Sequence, residues 1–189
     1  DLPALPGAHQ VHNAGAALAA LRALGVEDGA CAAALSQVQW PARLQRLSPA
    51  DLPGLPEDAE VWLDGGHNAA AGQALAAHMG ALEERRPAPL HLICGMLETK
   101  NAGTFLGHFR GLAASVSALA IPEAAASLPA EAIARAAAQA GIPAETAPDF
   151  AGALAAVGRR AEGAAAPRVL VCGSLYLAGW VLRRIAPPI

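Results

Sequence analysis

Short apolar runs alternate with longer helical stretches from Val61 onward, and this alternation limits the possible folds more than any other feature of the sequence. The runs are almost wholly apolar, which is typical of strands with helices packed on both faces of their sheet. Repeated strand–helix units with short connections predict an α/β fold with a mostly parallel, doubly wound sheet flanked by helices. The predicted strands cover residues 61–64, 90–94, 116–121, 144–147 and 169–172, and the predicted helices cover residues 69–85, 103–112, 130–140, 150–160 and 175–185.

The N-terminal part of the chain is predicted to hold two helices, over residues 10–24 and 28–37, with a boundary near Trp40. The first 38 residues are too few to bury a core of their own, so we divide the chain into residues 1–38 and a complete domain over residues 39–189. Alternating polar and apolar residues over 43–47 predict an additional edge strand. The first helix is expected to bury one apolar stripe, made by Val11, Ala14, Leu18, Leu21 and Leu24.

Charge and cysteine content argue against several classes of protein. The formal net charge is −3 and there is no basic run, so we expect the chain to bind neither nucleic acid nor an anionic membrane surface. The uncharged stretch 169–182 is shorter than the ~20 residues of a membrane-spanning helix. Three widely spaced cysteines without a C-x-x-C motif predict neither a disulfide framework nor a zinc site, and they favour the reducing cytoplasm. Cys94 and Cys172 are predicted to be buried strand residues.

The first strand of the α/β region ends in a segment that suits ligand binding. Ligands of open parallel sheets bind beyond the carboxyl ends of the strands, where loops and helix N-termini converge. Here the strand runs into Asp64-Gly65-Gly66-His67-Asn68. The Asp64 carboxylate suits ribose hydroxyls, a metal or an amine, but Asp64 and Asn68 could equally cap the next helix.

Two further strand ends carry the only lysine of the chain and a serine. Lys100 indicates a point charge toward a carboxylate or phosphate, because arginine is used everywhere else; a solvated loop lysine is the alternative. Ser174 opens the last helix, where its hydroxyl suits either an anion or a simple N-cap. The sequence contains no P-loop motif, no G-x-G-x-x-G motif and no residues at metal-ligand spacing.

At these motifs the chain resembles the C-terminal part of folylpolyglutamate synthase and of the bifunctional dihydrofolate synthase, in the Mur ligase superfamily. Two departures from the family pattern are visible: Ala42 stands where glycine is usual before the arginine, and Gly66 stands where alanine is usual before the histidine. The matching runs occur in family order: L-P-G-A-H-Q-V-H-N-A-G-A-A-L-A-A-L from Leu5, W-P-A-R-L-Q-R-L from Trp40, L-D-G-G-H-N-A from Leu63, G-M-L-E-T-K from Gly95 and C-G-S-L-Y-L-A-G from Cys172.

The resemblance implies a Rossmann-like C-terminal domain, preceded by the last helices of a central ATP-binding domain. That missing part would hold the P-loop, the Mg²⁺ ligands and most of the pterin site. The implied enzyme uses ATP to activate a dihydropteroate or folate carboxylate as an acyl phosphate, which the amine of L-glutamate then attacks. Asn13, Arg43 and Asp64 are expected to contact ATP. His67 and Ser174 are expected on the glutamate side, His67 and Lys100 are the catalytic candidates, and this polypeptide alone is expected to be inactive.

Two other functions stay open at this point. The C-terminal domain of a peptidoglycan Mur ligase would share the architecture, although the G-S-L-Y-L-A-G and H-Q-x-x-N runs are more similar to the folate branch. A non-catalytic nucleotide-binding α/β module is the other alternative. A nicotinamide domain is disfavoured because the glycine fingerprint is missing.

Overall fold

The computed structural model describes residues 3–185 of the chain. Within these residues a six-stranded sheet is flanked by seven helices. The strands are β1 Gln45–Leu47, β2 Glu60–Leu63, β3 Leu90–Cys94, β4 Ala113–Ala118, β5 Ala144–Thr146 and β6 Arg168–Cys172. The helices are α1 Ala8–Ala23, α2 Asp28–Gln37, α3 Ala69–Arg85, α4 Ala102–Gly107, α5 Ala130–Gln139, α6 Phe150–Ala161 and α7 Leu175–Ile185, and a short 3₁₀ turn covers Pro49–Asp51.

The sheet is doubly wound, as predicted. Its strand order is β1-β2-β6-β3-β4-β5, and the five strands β2, β6, β3, β4 and β5 run parallel to one another. β1 pairs antiparallel with β2, which confirms the additional edge strand. The helices α3, α4 and α5 pack on one face of the sheet and form one hydrophobic core with it. The helices α6 and α7 form a second core on the other face. Strands covered on both faces explain why their sequences are almost wholly apolar.

The boundaries differ from the predicted ones around α4 and β4. The helix was predicted to reach residue 112, but it ends at Gly107, and β4 begins at Ala113 instead of residue 116. Gly111 has a φ of +72°, a conformation in which glycine is favoured and a helix cannot continue. The chain therefore turns before Leu112 and enters the sheet three residues early.

The apolar stripe predicted for α1 is only partly buried: the expectation was wrong for Val11 and Leu24, and the other three residues are half-buried. Gln10 is the buried residue of this helix, whereas Val11 is 47% exposed and Leu24, just past its end, is 80% exposed. α1 and α2 pack against each other around an apolar cavity of about 420 Å³, which Leu18, Leu35 and Trp40 help to line. Ala14 and Leu21 also line this cavity, so within the described residues Val11 and Leu24 are the two members of the stripe that stay exposed.

A buried ion-pair cluster holds the N-terminal ends of β2 and β6 together. Glu60 and Arg168 are 5% and 1% exposed, and two guanidinium N–H groups of Arg168 donate to Glu60 Oε2 at 3.1 Å. Arg46 and Arg86 also pair with Glu60, and Arg168 reaches Glu83 at 3.2 Å. Burial opposes ionisation of Glu60, but the hydrogen bond from Arg86 and the nearby guanidinium charges lower the pKa of Glu60 below its ordinary value.

Candidate functional site

Four of the predicted site residues line one cavity at the carboxyl end of β2. Asn13 reaches it from α1, Arg43 from the turn before β1, and Asp64 and His67 from the loop between β2 and α3. The volume of this cavity is about 300 Å³. Its position beyond a strand end, beside the N-terminus of α3, is where open α/β sheets bind their ligands. Ser174 and Lys100 do not line it.

Asp64 fixes the shape of this cavity. The side chain is 4% exposed, its Oδ2 accepts the Leu44 N–H at 2.8 Å, and its Oδ1 accepts the Gly66 N–H at 2.7 Å. Burial raises the pKa of the Asp64 carboxyl, and these two amides together with the Arg43 charge offset only part of that rise. The carboxylate therefore ties the turn that carries Arg43 to the loop that carries His67.

The turn around Arg43 adopts an unusual backbone conformation. Ala42 and Leu44 have φ values of +57° and +45°, in the left-handed region that disfavours residues with a Cβ atom. The bond from Leu44 to Asp64 compensates part of this strain. The conformation also gives a physical reason why glycine is usual at position 42 in the family that the sequence resembles.

Arg43 is half-buried between this cavity and the cavity between α1 and α2, and it lines both. Its Nη1 donates to the Ala42 carbonyl at 3.1 Å. A guanidinium group carries five N–H donors, and within the described residues this is its one hydrogen bond. The remaining donors are available to an anion in the cavity.

The loop after Asp64 places His67 at the cavity and caps the following helix with Asn68. Asn68 Oδ1 accepts the Ala71 N–H at 2.9 Å, so the capping interpretation holds for Asn68. His67 Nδ1 donates to the Gly65 carbonyl at 2.9 Å, so in the neutral ring Nε2 is the acceptor. A Cβ atom on Gly66 would lie 2.8 Å from Ala71 Cβ and 2.9 Å from Asp64 Oδ1. Glycine is therefore the residue that this loop geometry accommodates at position 66.

Asn13 belongs to a hydrogen-bonded chain with His9 and Gln10, neither of which was predicted as a site residue. Its Nδ2 donates to Gln10 Oε1 at 3.0 Å, and Gln10 Nε2 lies 3.0 Å from His9 Nε2. Both His9 and Gln10 also line the cavity. Their signal in the sequence was a polar run, H-Q-x-x-N, at the start of an otherwise apolar helix.

Ser174 and Lys100 follow the neighbouring strand ends. Ser174 is 3% exposed and its Oγ accepts the Tyr176 N–H at 3.0 Å, as expected for a cap of α7. Gly173, just before it, donates its N–H to the Gly66 carbonyl at 3.0 Å, which brings Ser174 next to the His67 loop. Lys100 is half-buried in the loop after β3.

The cysteines have no chemical role that the structure supports. Cys94 and Cys172 are buried, unoxidised and directly paired across β3 and β6. The hydrogen bond with Cys94 and the burial raise the pKa of the Cys172 thiol well above its ordinary value, so it resists forming the reactive thiolate.

The residues of this cavity do not fit a bound metal ion. Among residues 3–185, no group of three or more histidine, cysteine, aspartate or glutamate side chains is arranged to hold one. Asp64 is the one acidic side chain that lines the cavity, and a single carboxylate supplies too few oxygen ligands for a bound cation. The same residues include no helix that is both long and apolar enough to cross a membrane.

Comparisons with known proteins agree with the resemblance of the motifs. Residues 54–184 match the family described as dihydrofolate synthetase, C-terminal domain. A search of curated proteins gave no significant match. Among solved structures, folylpolyglutamate synthase from Mycobacterium tuberculosis, complexed with ADP and AMPPCP, superposes with a TM-score of 0.82 at 25% identity over 98% of this chain. FolC from E. coli, in complex with DHPP and ADP, superposes with a TM-score of 0.73 at 26% identity over 96% of this chain.

This chain spans only 42% of the mycobacterial enzyme and 39% of the E. coli enzyme. The matched family covers most of the sequence, including β2 to β6 and the loop with Asp64 and His67. The chain therefore belongs to the family of dihydrofolate synthetase C-terminal domains.

Proposed function

We propose that this chain is the C-terminal lobe of an ATP-dependent ligase that joins L-glutamate to dihydropteroate, to folylpolyglutamate, or to both. The observation that carries the proposal is the convergence of Asn13, Arg43, Asp64 and His67 on one cavity at the end of β2. In the proposed reaction the carboxylate of the pterin substrate attacks the terminal phosphate of ATP, giving an acyl phosphate and ADP. The glutamate amine then displaces phosphate and forms the amide bond.

We assign three of the cavity residues to different parts of a nucleotide. Arg43 has donors for phosphate oxygens, on which charge accumulates during phosphoryl transfer. Asp64 stands at a strand end suited to ribose, and it keeps the Arg43 turn in place. Asn13 presents a neutral amide, which suits a base. Relatives solved with ADP and AMPPCP support a nucleotide as the ligand.

We assign His67 and Ser174 to glutamate, with Lys100 as a second catalytic candidate. In the neutral ring the hydrogen bond of Nδ1 leaves His67 Nε2 as an acceptor, and in the proposed mechanism this atom takes a proton from the attacking amine. The Gly173–Gly66 hydrogen bond supports a role for Ser174 because it joins the two loops. Lys100 follows β3, which lies next to β6 in the sheet, and we assign its ammonium to a substrate carboxylate.

The domain division belongs to the same proposal. We assign residues 1–38 to the last helices of a central ATP-binding domain and residues 39–189 to the C-terminal domain. The incomplete burial of the α1 stripe supports this division, because its residues belong to neither core of the sheet. The P-loop and the Mg²⁺ ligands are expected in the remaining part of the enzyme, and the reaction is assigned to the cytoplasm with small-molecule substrates alone.

The test uses the full-length enzyme. With ATP, Mg²⁺ and dihydropteroate or folate, we expect release of ADP that depends on L-glutamate, and no release from this polypeptide alone. Alanine and diaminopimelate serve as competing amines. Ligation of either one in preference to glutamate would favour a peptidoglycan Mur ligase, and no ATP turnover with any amine would favour the non-catalytic nucleotide-binding module.

A further inference from the structure

The loop that carries Lys100 is held by the loop that follows the neighbouring strand β4. We call them the β3 loop, residues 95–101, and the β4 loop, residues 119–129. Leu97 and Ser127 form an antiparallel bridge between the two loops. Two backbone hydrogen bonds flank this bridge, at 2.9 and 2.8 Å: one from the Glu98 N–H to the Ala126 carbonyl and one from the Leu128 N–H to the Met96 carbonyl. The Leu97 carbonyl accepts the Lys100 N–H at 3.0 Å, so the backbone of Lys100 is fixed through the β4 loop.

The hydroxyl group of Ser127 closes the β4 loop. Its Oγ accepts the Ile121 N–H at 2.7 Å and donates to the Leu128 carbonyl at 3.0 Å. Ile121 is 3% exposed, so without this oxygen its N–H would be a buried donor without a partner. The β4 loop is also joined to α7 by ion pairs of Glu123, but these pairs are exposed, and exposed pairs contribute little. Ser127 therefore contributes more than Glu123 to holding the loop in place.

The β3 loop leaves the sheet beside the loop that carries Ser174. The Gly95 N–H donates to the Cys172 carbonyl at 3.2 Å, and a Cβ atom on Gly173 would lie 2.6 Å from the Gly95 carbonyl oxygen. Because Ser174 is assigned to glutamate, this contact favours a glutamate carboxylate over the pterin carboxylate as the ligand of Lys100. The Lys100 ammonium forms no ion pair within residues 3–185, so it is available to such a ligand.

We propose that Ser127 is a positioning residue for glutamate: its hydroxyl holds the β4 loop, and the β4 loop sets the place of Lys100. The inference rests on the proposed function, because that function assigns Lys100 to a substrate carboxylate. A lysine side chain is long and flexible, so its ammonium meets a bound carboxylate at low entropic cost only from a fixed backbone. Loss of the Ser127 hydroxyl would release the β4 loop and let the backbone of Lys100 move.

The experiment is a double-mutant cycle in the full-length enzyme, measured as the KM of L-glutamate at saturating ATP and pterin substrate. Lys100→Met removes the charge and keeps most of the side-chain length, and it is expected to raise this KM by about 10- to 100-fold. Ser127→Ala should raise the KM by about tenfold in the wild-type background. It should raise the KM by less than about twofold in the Lys100→Met background, because Ser127 acts through that lysine. The dissociation constant of ATP should stay unchanged in all variants.

Two serine variants serve as controls. Ser127→Thr keeps the hydroxyl group and should hold the KM of glutamate within about threefold of the wild type. Ser36→Ala removes an exposed hydroxyl that donates to the Ala33 carbonyl at 3.0 Å on α2, and it should leave the KM unchanged. Melting temperatures identify a folding defect, and Ser127→Cys, a weaker donor and acceptor, repeats the cycle where Ser127→Ala is unstable.

Three results would overturn the inference while Lys100→Met still raises the KM of glutamate. The first is a wild-type KM in Ser127→Ala, and the second is an equal rise in both backgrounds, which indicates a role in folding alone. The third is a rise confined to the KM of the pterin substrate. If Lys100→Met leaves the KM of glutamate unchanged, the assignment of Lys100 under the proposed function fails and the inference fails with it.

Discussion

Replacing Asp64 with asparagine tests whether this carboxylate holds the turn that carries Arg43. The wild-type side chain accepts two backbone N–H groups, from Leu44 and Gly66, at 2.8 and 2.7 Å. Asparagine has nearly the same shape but only one acceptor oxygen. Its amino group would face one of the two N–H groups, so a buried donor would meet a donor.

The size of the effect follows from two opposing contributions. A hydrogen bond to a charged group contributes about 1.5–3 kcal/mol, and an unsatisfied buried donor costs a similar amount. Burial, which raises the pKa of Asp64, acts in the opposite direction, because the neutral amide avoids the cost of burying a charge. We therefore expect Asp64→Asn to lower the free energy of unfolding by about 1–3 kcal/mol at pH 7.

Denaturant unfolding of this chain measures the change, as a shift in midpoint at constant slope. Asp149→Asn is the matched control, because Asp149 also accepts a backbone N–H at 2.7 Å, from Gly152, but at an exposed helix N-cap. The control is expected to lose less than about 1 kcal/mol. Equal losses in the two variants would refute a clamping role for Asp64.

Three further predictions concern other parts of the fold. Gly158→Ala would place a Cβ atom 2.1 Å from the Gly54 carbonyl oxygen and should lower the free energy of unfolding by about 1–3 kcal/mol in thermal unfolding. Gly80→Ala, which has open space around it, should raise the free energy of unfolding by about 0.5–1 kcal/mol. Equal effects of the two substitutions would contradict this packing. Glu60→Gln should cost about 3 kcal/mol at pH 7, because Arg168 loses its buried partner. This stabilisation by Glu60 is present above its unfolded pKa and is lost as the pH falls through its lower folded pKa, so the deficit of the variant should shrink in acid. Burial lowers the pKa of His91 in the folded protein, so the unfolded chain binds the proton more readily and stability should decline as the pH falls below 6.5. A His91→Gln variant whose stability declines as steeply would show that His91 is not the cause.

Much of the α/β region could be predicted from the sequence because its pattern is local. β3, α3 and α7 occupy the residues expected from apolar runs and helical spacing. The convergence of Arg43 and Asp64 was expected from the family resemblance alone, and the antiparallel pairing of β1 with β2 is what brings the two residues to one end of the sheet.

The parts that sequence reasoning missed depend on contacts between distant residues. An apolar stripe on α1 predicts burial only where another layer covers it, and α2 covers Ala14, Leu18 and Leu21 only in part. One of the two hydrogen bonds that Asp64 accepts comes from the N–H of Leu44, twenty positions away in the sequence. Leu44 has a left-handed backbone conformation, which no sequence pattern indicates for a leucine. The pairing of Glu60 with Arg168 joins positions 108 residues apart.

The most direct test of a nucleotide site at the end of β2 is the ATP affinity of the full-length Arg43→Ala variant. The control is Arg159→Ala, an exposed arginine on α6. Loss of charge-assisted hydrogen bonds to phosphate predicts weakening by about 10- to 100-fold for Arg43→Ala and no change for the control. An ATP dissociation constant equal to that of the wild type in Arg43→Ala would contradict the account.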